Sequence, residues 1–159
     1  MPPSLSTLRR LALRGAACAA LAASGLSIAQ TGVPDLRFGE MFQMPAGPRG
    51  LKPGKAVLAL DGQRVRITGF MVTQEDAPVG RFFLTPVPLR MSESADGDAD
   101  DLPLNTVVVL MPPAEQSLPL PHTPGLLQLT GILHYGRHEL PDGRVVWLRL
   151  QLHPRPSSS

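Results

Sequence analysis

Two histidines near the end of one apolar segment, His134 and His138, have side chains that could bind a metal ion. Glu139 follows the second histidine, and Zn²⁺ accepts both imidazole nitrogen and carboxylate oxygen. A zinc site needs three or four such ligands at one point, and the His-x-x-x-His spacing brings two rings together on a helix. Residues 135–137 instead have the composition of a strand end entering a turn. The spacing therefore favours surface histidines, and a zinc site is the alternative.

A second candidate metal site is the acidic segment that contains Asp96, Asp98 and Asp100. Alternating carboxylates are ligands that Ca²⁺ prefers. The calcium loop of an EF-hand also needs a glycine at a fixed position and a closing glutamate, and this segment has neither in the required place. A solvated acidic loop is the interpretation that we favour, and calcium binding by a metal-handling protein is the alternative.

The sequence contains no pattern that is typical of an enzyme. The serines after residue 30 lack the Gly-x-Ser-x-Gly context of a nucleophile elbow. A phosphate-binding glycine loop and a dinucleotide-binding fingerprint are also missing. We therefore expect no catalytic residue, no cofactor and no enzyme activity.

A candidate binding face combines arginines with aromatic residues on two segments. Its members are Arg64, Arg66, Phe70, Trp147 and Arg149. Arginine beside an aromatic ring can stack on bases or sugars, or can bind an acidic protein partner. The alternative is that these side chains cover the outside of the fold and pack against an N-terminal arm.

The elements that carry these residues are mainly strands. Apolar residues recur with period two after Gln63, where Val65, Ile67 and Met71 share one face. In the last segment Val146, Leu148, Leu150 and Leu152 share the inner face, and Val145, Trp147, Arg149 and Gln151 point outward. The same pattern and the turn residues between segments predict five strands, which cover residues 64–72, 81–85, 106–111, 126–135 and 144–152. The turn at residues 140–143 predicts a hairpin of the last two strands. Around them we expect an extended arm over 30–55, a β domain over 56–153 with a short helical or turn segment at 56–60, and a disordered tail at 154–159.

An internal repeat indicates how the strands close. Residues 64–72 match residues 126–134 in their alternating apolar positions and in a Thr-Gly pair, which places Gly69 and Gly131 at equivalent points. A glycine inside a long strand is typical of a bulge or a sharp bend. Because two bent strands allow a small sheet to close on itself, we predict a mostly β fold with a five-stranded OB-like barrel, and an open β-sandwich is the alternative.

These segments also resemble a known family. The segments concerned are Leu60-Asp61-Gly62-Gln63-Arg64-Val65-Arg66-Ile67-Thr68-Gly69-Phe70, Phe82-Phe83-Leu84-Thr85-Pro86 and the stretch from Leu102 to Val109. Together they are similar to small exported bacterial proteins of an uncharacterised domain-of-unknown-function family. The resemblance covers roughly residues 58–152 and implies an OB-like strand order. Its motifs are strand starts and glycine bends, so it implies no catalytic residues.

The first 29 residues have the three-part organisation of an export signal. Arg9, Arg10 and Arg14 form a basic head, an apolar run covers residues 16–23, and Ser27-Ile28-Ala29 provides a cleavage site after Ala29. The run is too short for a membrane span, which needs about 20 apolar residues. We predict a Sec signal, with a twin-arginine signal as the alternative because of the paired arginines.

Cleavage after Ala29 changes the charge and with it the expected partners. The signal holds three of the 15 basic residues and none of the 13 acidic residues, so the mature chain has a net charge near −1. A nucleic-acid partner is not expected, because such proteins rely on excess positive charge. The sequence therefore predicts a periplasmic or secreted, non-catalytic binding or accessory module with a possible envelope protein partner. Its ligand and oligomeric state are left open.

Overall fold

A computed structural model describes residues 32–45, 48, 51–91 and 102–154 of the chain. Its helical elements are a 3₁₀ turn over Phe38–Glu40, α1 over Lys55–Leu60, and a second 3₁₀ turn over Pro113–Glu115. The five strands are β1 over Arg64–Met71, β2 over Arg81–Thr85, β3 over Val107–Leu110, β4 over Leu126–Glu139 and β5 over Val145–Leu152. The prediction of a mostly β fold is confirmed. The expected signal peptide, the aspartates at 96, 98 and 100, and the tail from residue 155 lie outside the described residues.

The five strands form one sheet that closes on itself in the order β1-β2-β3-β5-β4. Neighbouring strands are antiparallel except β3 and β5, which are parallel. The last two strands form the expected hairpin. β4 is shared by two partners, because its first half from Leu126 to Ile132 pairs with β1 and its second half from Gly131 to Glu139 pairs with β5.

The interior of the sheet is filled by the side chains that the period-two pattern places on one face. In β1, Val65, Ile67 and Met71 are buried while Arg64 and Thr68 are exposed. The same alternation in β5 buries the apolar side chains at 146, 148 and 150. Val65, Ile67, Met71, Leu148 and Leu150 belong to the main core, which also contains buried residues of β2, β3 and β4, whereas Val146 belongs to a smaller second cluster. The faces predicted for the first and fifth strands are therefore correct.

Residues 32–45, which precede α1, pack against this sheet. The backbone N–H of Leu36 donates to the carbonyl of Arg66 and the N–H of Arg66 donates to Pro34, both at 2.8 Å. These bonds pair the backbone N–H and carbonyl of Arg66 on the edge of β1 that faces away from β4. Those groups are therefore not available for strand pairing with another chain. The side chains of Leu36, Phe38 and Met41 are buried and belong to the main core. The segment expected as an extended arm thus contributes to packing.

The two strand glycines lie where the sheet changes partners. β1 pairs with β4 up to Phe70, at which point its pairing with β2 begins, and Gly69 immediately precedes this change. Gly131 pairs with Val65 on one side and with Leu152 on the other. Neither glycine has the positive φ that a bulge would favour; the positive-φ glycine at the register shift of β4 is Gly136.

β4 also continues beyond its expected end. Residues 135–137 were expected to leave the strand, but the ladder with β5 resumes at His138 after a register shift. Gly136 has a φ of 148° within this irregular stretch. An extra residue in a bulge is tolerated best where glycine adopts a conformation that other residues avoid. The glycine therefore extends the strand by a bulge instead of ending it.

Candidate functional site

The five residues of the predicted binding face point away from the main core but do not form one patch. β4 lies between β1 and β5, so the two halves of the predicted face are two strands apart. Phe70 pairs with Leu126 at the start of β4, whereas Trp147 stacks on Tyr135 nine residues farther along that strand. Since a strand rises about 3.3 Å per residue, these two aromatic rings are far apart.

The half of the predicted face on β1 is partly occupied by the chain itself. The Nη1 atom of Arg66 lies 3.4 Å from a carboxylate oxygen of Asp35 in the segment before α1. Both side chains are substantially exposed, so this ion pair contributes little stability. The Arg66 side chain therefore contacts the N-terminal segment, which lies over this half of the predicted face.

The half on β5 forms an outward strip of Val145, Trp147 and Arg149, which we call the β5 strip. The Trp147 ring stacks on Tyr135 with ring centroids 6.2 Å apart and an interplanar angle of 27°. Arg149 lies opposite His134 of β4 in the β4–β5 ladder. Its Nε atom is buried without a hydrogen-bond partner among the described residues. A buried donor without an acceptor is costly to the fold.

A groove of about 260 Å³ runs beside the start of the β5 strip. Three large apolar side chains on this surface are exposed to solvent: Leu104 by 70%, Trp147 by 41% and Val145 by 39%. All three line the groove, together with Leu102, Pro103, Thr106, Arg144 and Val146. Adjacent exposed apolar side chains of this size are typical of surfaces that bind another protein.

A second cavity, which we call the loop cleft, lies between the β1–β2 connection and the β4–β5 turn. Its volume is about 310 Å³, and it is lined by Gln74, Asp76, Ala77, Pro78, Val79, Arg81, Phe83 and Asp142. The Nη2 atom of Arg81 lies 4.0 Å from a carboxylate oxygen of Asp142 and so joins the two loops. The Oε1 atom of Gln74 is buried and has no hydrogen-bond partner among the described residues.

Arg144 lines the groove and also contacts Phe83, which lines the loop cleft. Its guanidinium carbon lies 5.2 Å from the centre of the Phe83 ring, which is a cation–π distance. One of its nitrogens also lies 3.8 Å from the sulfur of Met91. Phe83 belongs to a small second cluster of buried apolar residues, with Val72, Val108, Leu140 and Val146. This cluster supports the walls of both cavities.

Gln74, Arg81 and Asp142 are not among the site residues that the sequence predicts. The turn at residues 140–143 is predicted from its residue types, but nothing in the sequence indicates that the β1–β2 connection faces it. No motif marks these three residues, because they come together only when the sheet closes.

A third cavity is apolar and lies against the segment before α1. It has a volume of about 390 Å³ and is lined by Phe38, Gly39, Phe42, Met44, Leu51, Leu104 and Asn105. The side-chain amide of Asn105 donates to the carbonyl of Phe38 at 3.4 Å and links the β2–β3 connection to this segment. The cavity thus follows the contact between two parts of the chain.

The candidate metal ligands are not brought into a cluster. His134 and His138 lie in β4 on either side of the bulge, where they pair with Arg149 and Val146 of β5. Within residues 32–45, 48, 51–91 and 102–154, no three histidine, cysteine, aspartate or glutamate side chains lie close enough to hold a metal ion. The acidic candidates Asp96, Asp98 and Asp100 are not among the described residues.

Among the described residues, no helix has the length and hydropathy needed to cross a lipid bilayer.

Comparisons with known proteins identify no family for the chain. No family model matches it, and no curated protein is significantly similar. A solved structure described as a DUF3299 family protein from Pseudomonas aeruginosa is similar over 76% of this chain and 93% of its own, with 15% identity and a TM-score of 0.47. The match agrees with the expected resemblance to a domain of unknown function. At this TM-score it carries no argument about activity or ligands.

Proposed function

We propose that this chain is an exported, non-catalytic binding or accessory module that works in the periplasm or outside the cell. The three-part N-terminal segment supports export, and the missing nucleophile and cofactor motifs support a binding role. We also propose that the closed sheet is an OB-like barrel. Its five strands in the order 1-2-3-5-4 and the pairing of β4 with both β1 and β5 support this assignment.

The observation that carries the proposal is the exposed apolar surface beside the β5 strip. Leu104, Val145 and Trp147 line one groove, and each leaves more than a third of its surface in water. Tryptophan and arginine are the residues that most often dominate binding energy at protein interfaces. Arg149 is two residues from Trp147 on the same face and adds a positive charge beside it. The expected partner is therefore a protein that presents an apolar side chain next to a carboxylate.

Replacing the aromatic anchor should remove partner binding and leave the fold intact. With the mature domain as bait in an envelope extract, we expect Trp147→Ala to lose the retained protein. Its melting temperature should stay close to that of the parent, because the stacking contact with Tyr135 contributes only about 0.5–1.5 kcal/mol beyond area burial. Arg149→Gln should weaken the same capture and make it less sensitive to salt.

A matched control is Leu118→Ala, which removes an apolar side chain that is 53% exposed outside the groove. Capture should be unchanged in this variant. If Leu118→Ala and Trp147→Ala retain the same proteins in equal amounts, the β5 strip is not the docking surface.

A separate experiment tests export. Because Ser27-Ile28-Ala29 is the small-x-small site that follows the apolar run at the proper spacing, mass spectrometry of the mature protein should find Gln30 at its N-terminus, either free or cyclised. Lysine at both Arg9 and Arg10 should leave export intact if the route is Sec and block it if the route is twin-arginine. An intact Met1 on a cytoplasmic protein would contradict the proposed location.

A further inference from the structure

The closed sheet leaves the start of β5 without a neighbouring strand on one side. β5 covers Val145–Leu152, but its parallel pairing with β3 begins only where Val107 lies opposite Leu148. Val145 and Val146 therefore have a strand neighbour only in β4. Among the described residues, no backbone hydrogen bond outside the strand ladders involves Val145. The side of β5 that faces away from β4 is thus an open strand edge at this point.

The hydrogen bonding of the β4–β5 hairpin shows where Val145 directs its peptide groups. The N–H of Leu140 donates to the carbonyl of Arg144 at 2.8 Å, and Val145 follows, opposite Glu139. Because successive residues of a strand direct their peptide groups to opposite edges, the N–H and the carbonyl of Val145 point away from β4. The groove beside the β5 strip lies on that side, since its other wall is formed by residues between 102 and 106, which lead into β3.

The open edge is bordered by apolar side chains. Natural sheet edges are usually covered, or carry lysine or proline, which discourage pairing with another chain. Here Val145 and Trp147 flank the edge, Leu104 lies on the groove, and all three are exposed. The groove lining includes one arginine, Arg144, and no carboxylate. A segment with apolar side chains and neutral or acidic neighbours would complement it.

We propose that an extended segment of the partner protein enters this groove and pairs with β5 at Val145, as an added strand in line with β3. The proposal rests on the protein-binding role proposed above and specifies how the partner is held. In strand addition, backbone hydrogen bonds supply affinity and alternate side chains supply specificity. The open edge is short and faces a wall at residues 102–104, so it fits a single extended segment better than the sheet of a second folded copy.

Trp147 gives a direct readout of binding, because it lines the groove and is the sole tryptophan of the chain. The probes are acetylated and amidated heptapeptides in which valine, leucine or phenylalanine alternates with threonine or glutamate, and versions with lysine in place of glutamate. We expect at least one neutral or acidic peptide to shift the Trp147 emission of the mature protein to shorter wavelength, and the lysine versions to bind more weakly. No shift with any peptide would overturn the proposal.

N-methylation of the peptide separates strand pairing from binding by side chains alone. Successive N–H groups of an added strand point to opposite sides, so only every second one can reach β5. In the tightest peptide, N-methyl groups at one or more positions of a single alternating set should raise the Kd about tenfold or more, because a hydrogen bond is lost. Those of the intervening set should leave it nearly unchanged. Equal tolerance at every position would contradict strand pairing.

Val145→Pro makes the same test on the protein. Proline removes the Val145 N–H, which points away from β4, and should raise the peptide Kd about tenfold or more. Val145→Thr is the matched control, because threonine keeps the N–H and the branched shape and should bind as tightly as the parent. The urea midpoints of both variants verify folding, and the N-methyl series decides the question if the proline variant does not fold.

Two further results would overturn strand addition in different ways. Capture of an envelope protein that depends on Trp147 but tolerates Val145→Pro would leave the binding role in place and remove only the added strand. Dimerisation of the parent that Val145→Pro abolishes, measured by sedimentation equilibrium, would make a second copy the occupant of the edge.

Discussion

The substitution Gly131→Val is expected to lower the free energy of unfolding by about 2–4 kcal/mol, which is a large share of the 5–15 kcal/mol typical of a single domain. A Cβ atom at Gly131 would collide with the backbone carbonyl of Gln151 and reach the side chain of Leu150. The carbonyl cannot move away without disturbing the pairing of β4 with β5. Thermal or urea unfolding of the purified variant measures the effect.

Gly69→Val should show the same direction for the same physical reason. A Cβ atom there would lie 2.8 Å from the carbonyl oxygen of Thr85 and 2.8 Å from a ring carbon of Phe38. Gly39→Val is the control, since a Cβ atom at Gly39 would meet nothing within 4 Å. If all three variants unfold at the same denaturant concentration, close backbone approach is not the reason for glycine at positions 69 and 131.

The second large effect is expected in the segment before α1. Leu36 is 2% exposed and packs in the main core, so Leu36→Ala should cost about 2–5 kcal/mol through lost burial and a residual cavity. Such a loss would show that residues 32–54 are part of the cooperative fold. The measurement is the urea midpoint of the variant compared with that of the parent.

Leu58→Ala provides the comparison for this prediction, because the same side chain is 56% exposed in α1 and alanine is a good helix former. Its midpoint should stay within the range of ordinary surface substitutions, about 0.5 kcal/mol. Should Leu36→Ala unfold no earlier than Leu58→Ala, the segment is an appendage whose removal the sheet would tolerate.

The strands and their faces could be predicted from the sequence because period two is a local signal. Val65, Ile67 and Met71 alternate with polar residues, and the burial of β1 follows that alternation. No such pattern in the sequence marks Leu36 and Phe38 as core residues. These side chains are buried by contact with a distant strand, and a segment rich in glycine and proline shows no periodicity from which that contact could be inferred.

The site was harder to predict than the fold. The prediction that Trp147 points outward is correct, but placing it on one face with Phe70 requires that outward positions on two strands share a surface. The position of β4 between them separates the two rings. Gln74 and Asp142 meet across the loop cleft only through the closed arrangement of strands. Local patterns give the direction of a side chain, and tertiary pairing decides its neighbours.

The shared strand β4 also determines when the fold can form. Ile67 in β1 pairs with Leu129, its counterpart in the internal repeat, and nearly half of the described chain lies between them. Closing a long loop costs entropy before any contact compensates for it, so small proteins with such distant pairings fold in milliseconds to seconds rather than microseconds. During synthesis at about 5–20 residues per second, β1 is complete several seconds before its partner exists. A nascent chain that ends before Leu126 therefore cannot close the sheet, which leaves time for it to be handed to cellular machinery while still unfolded.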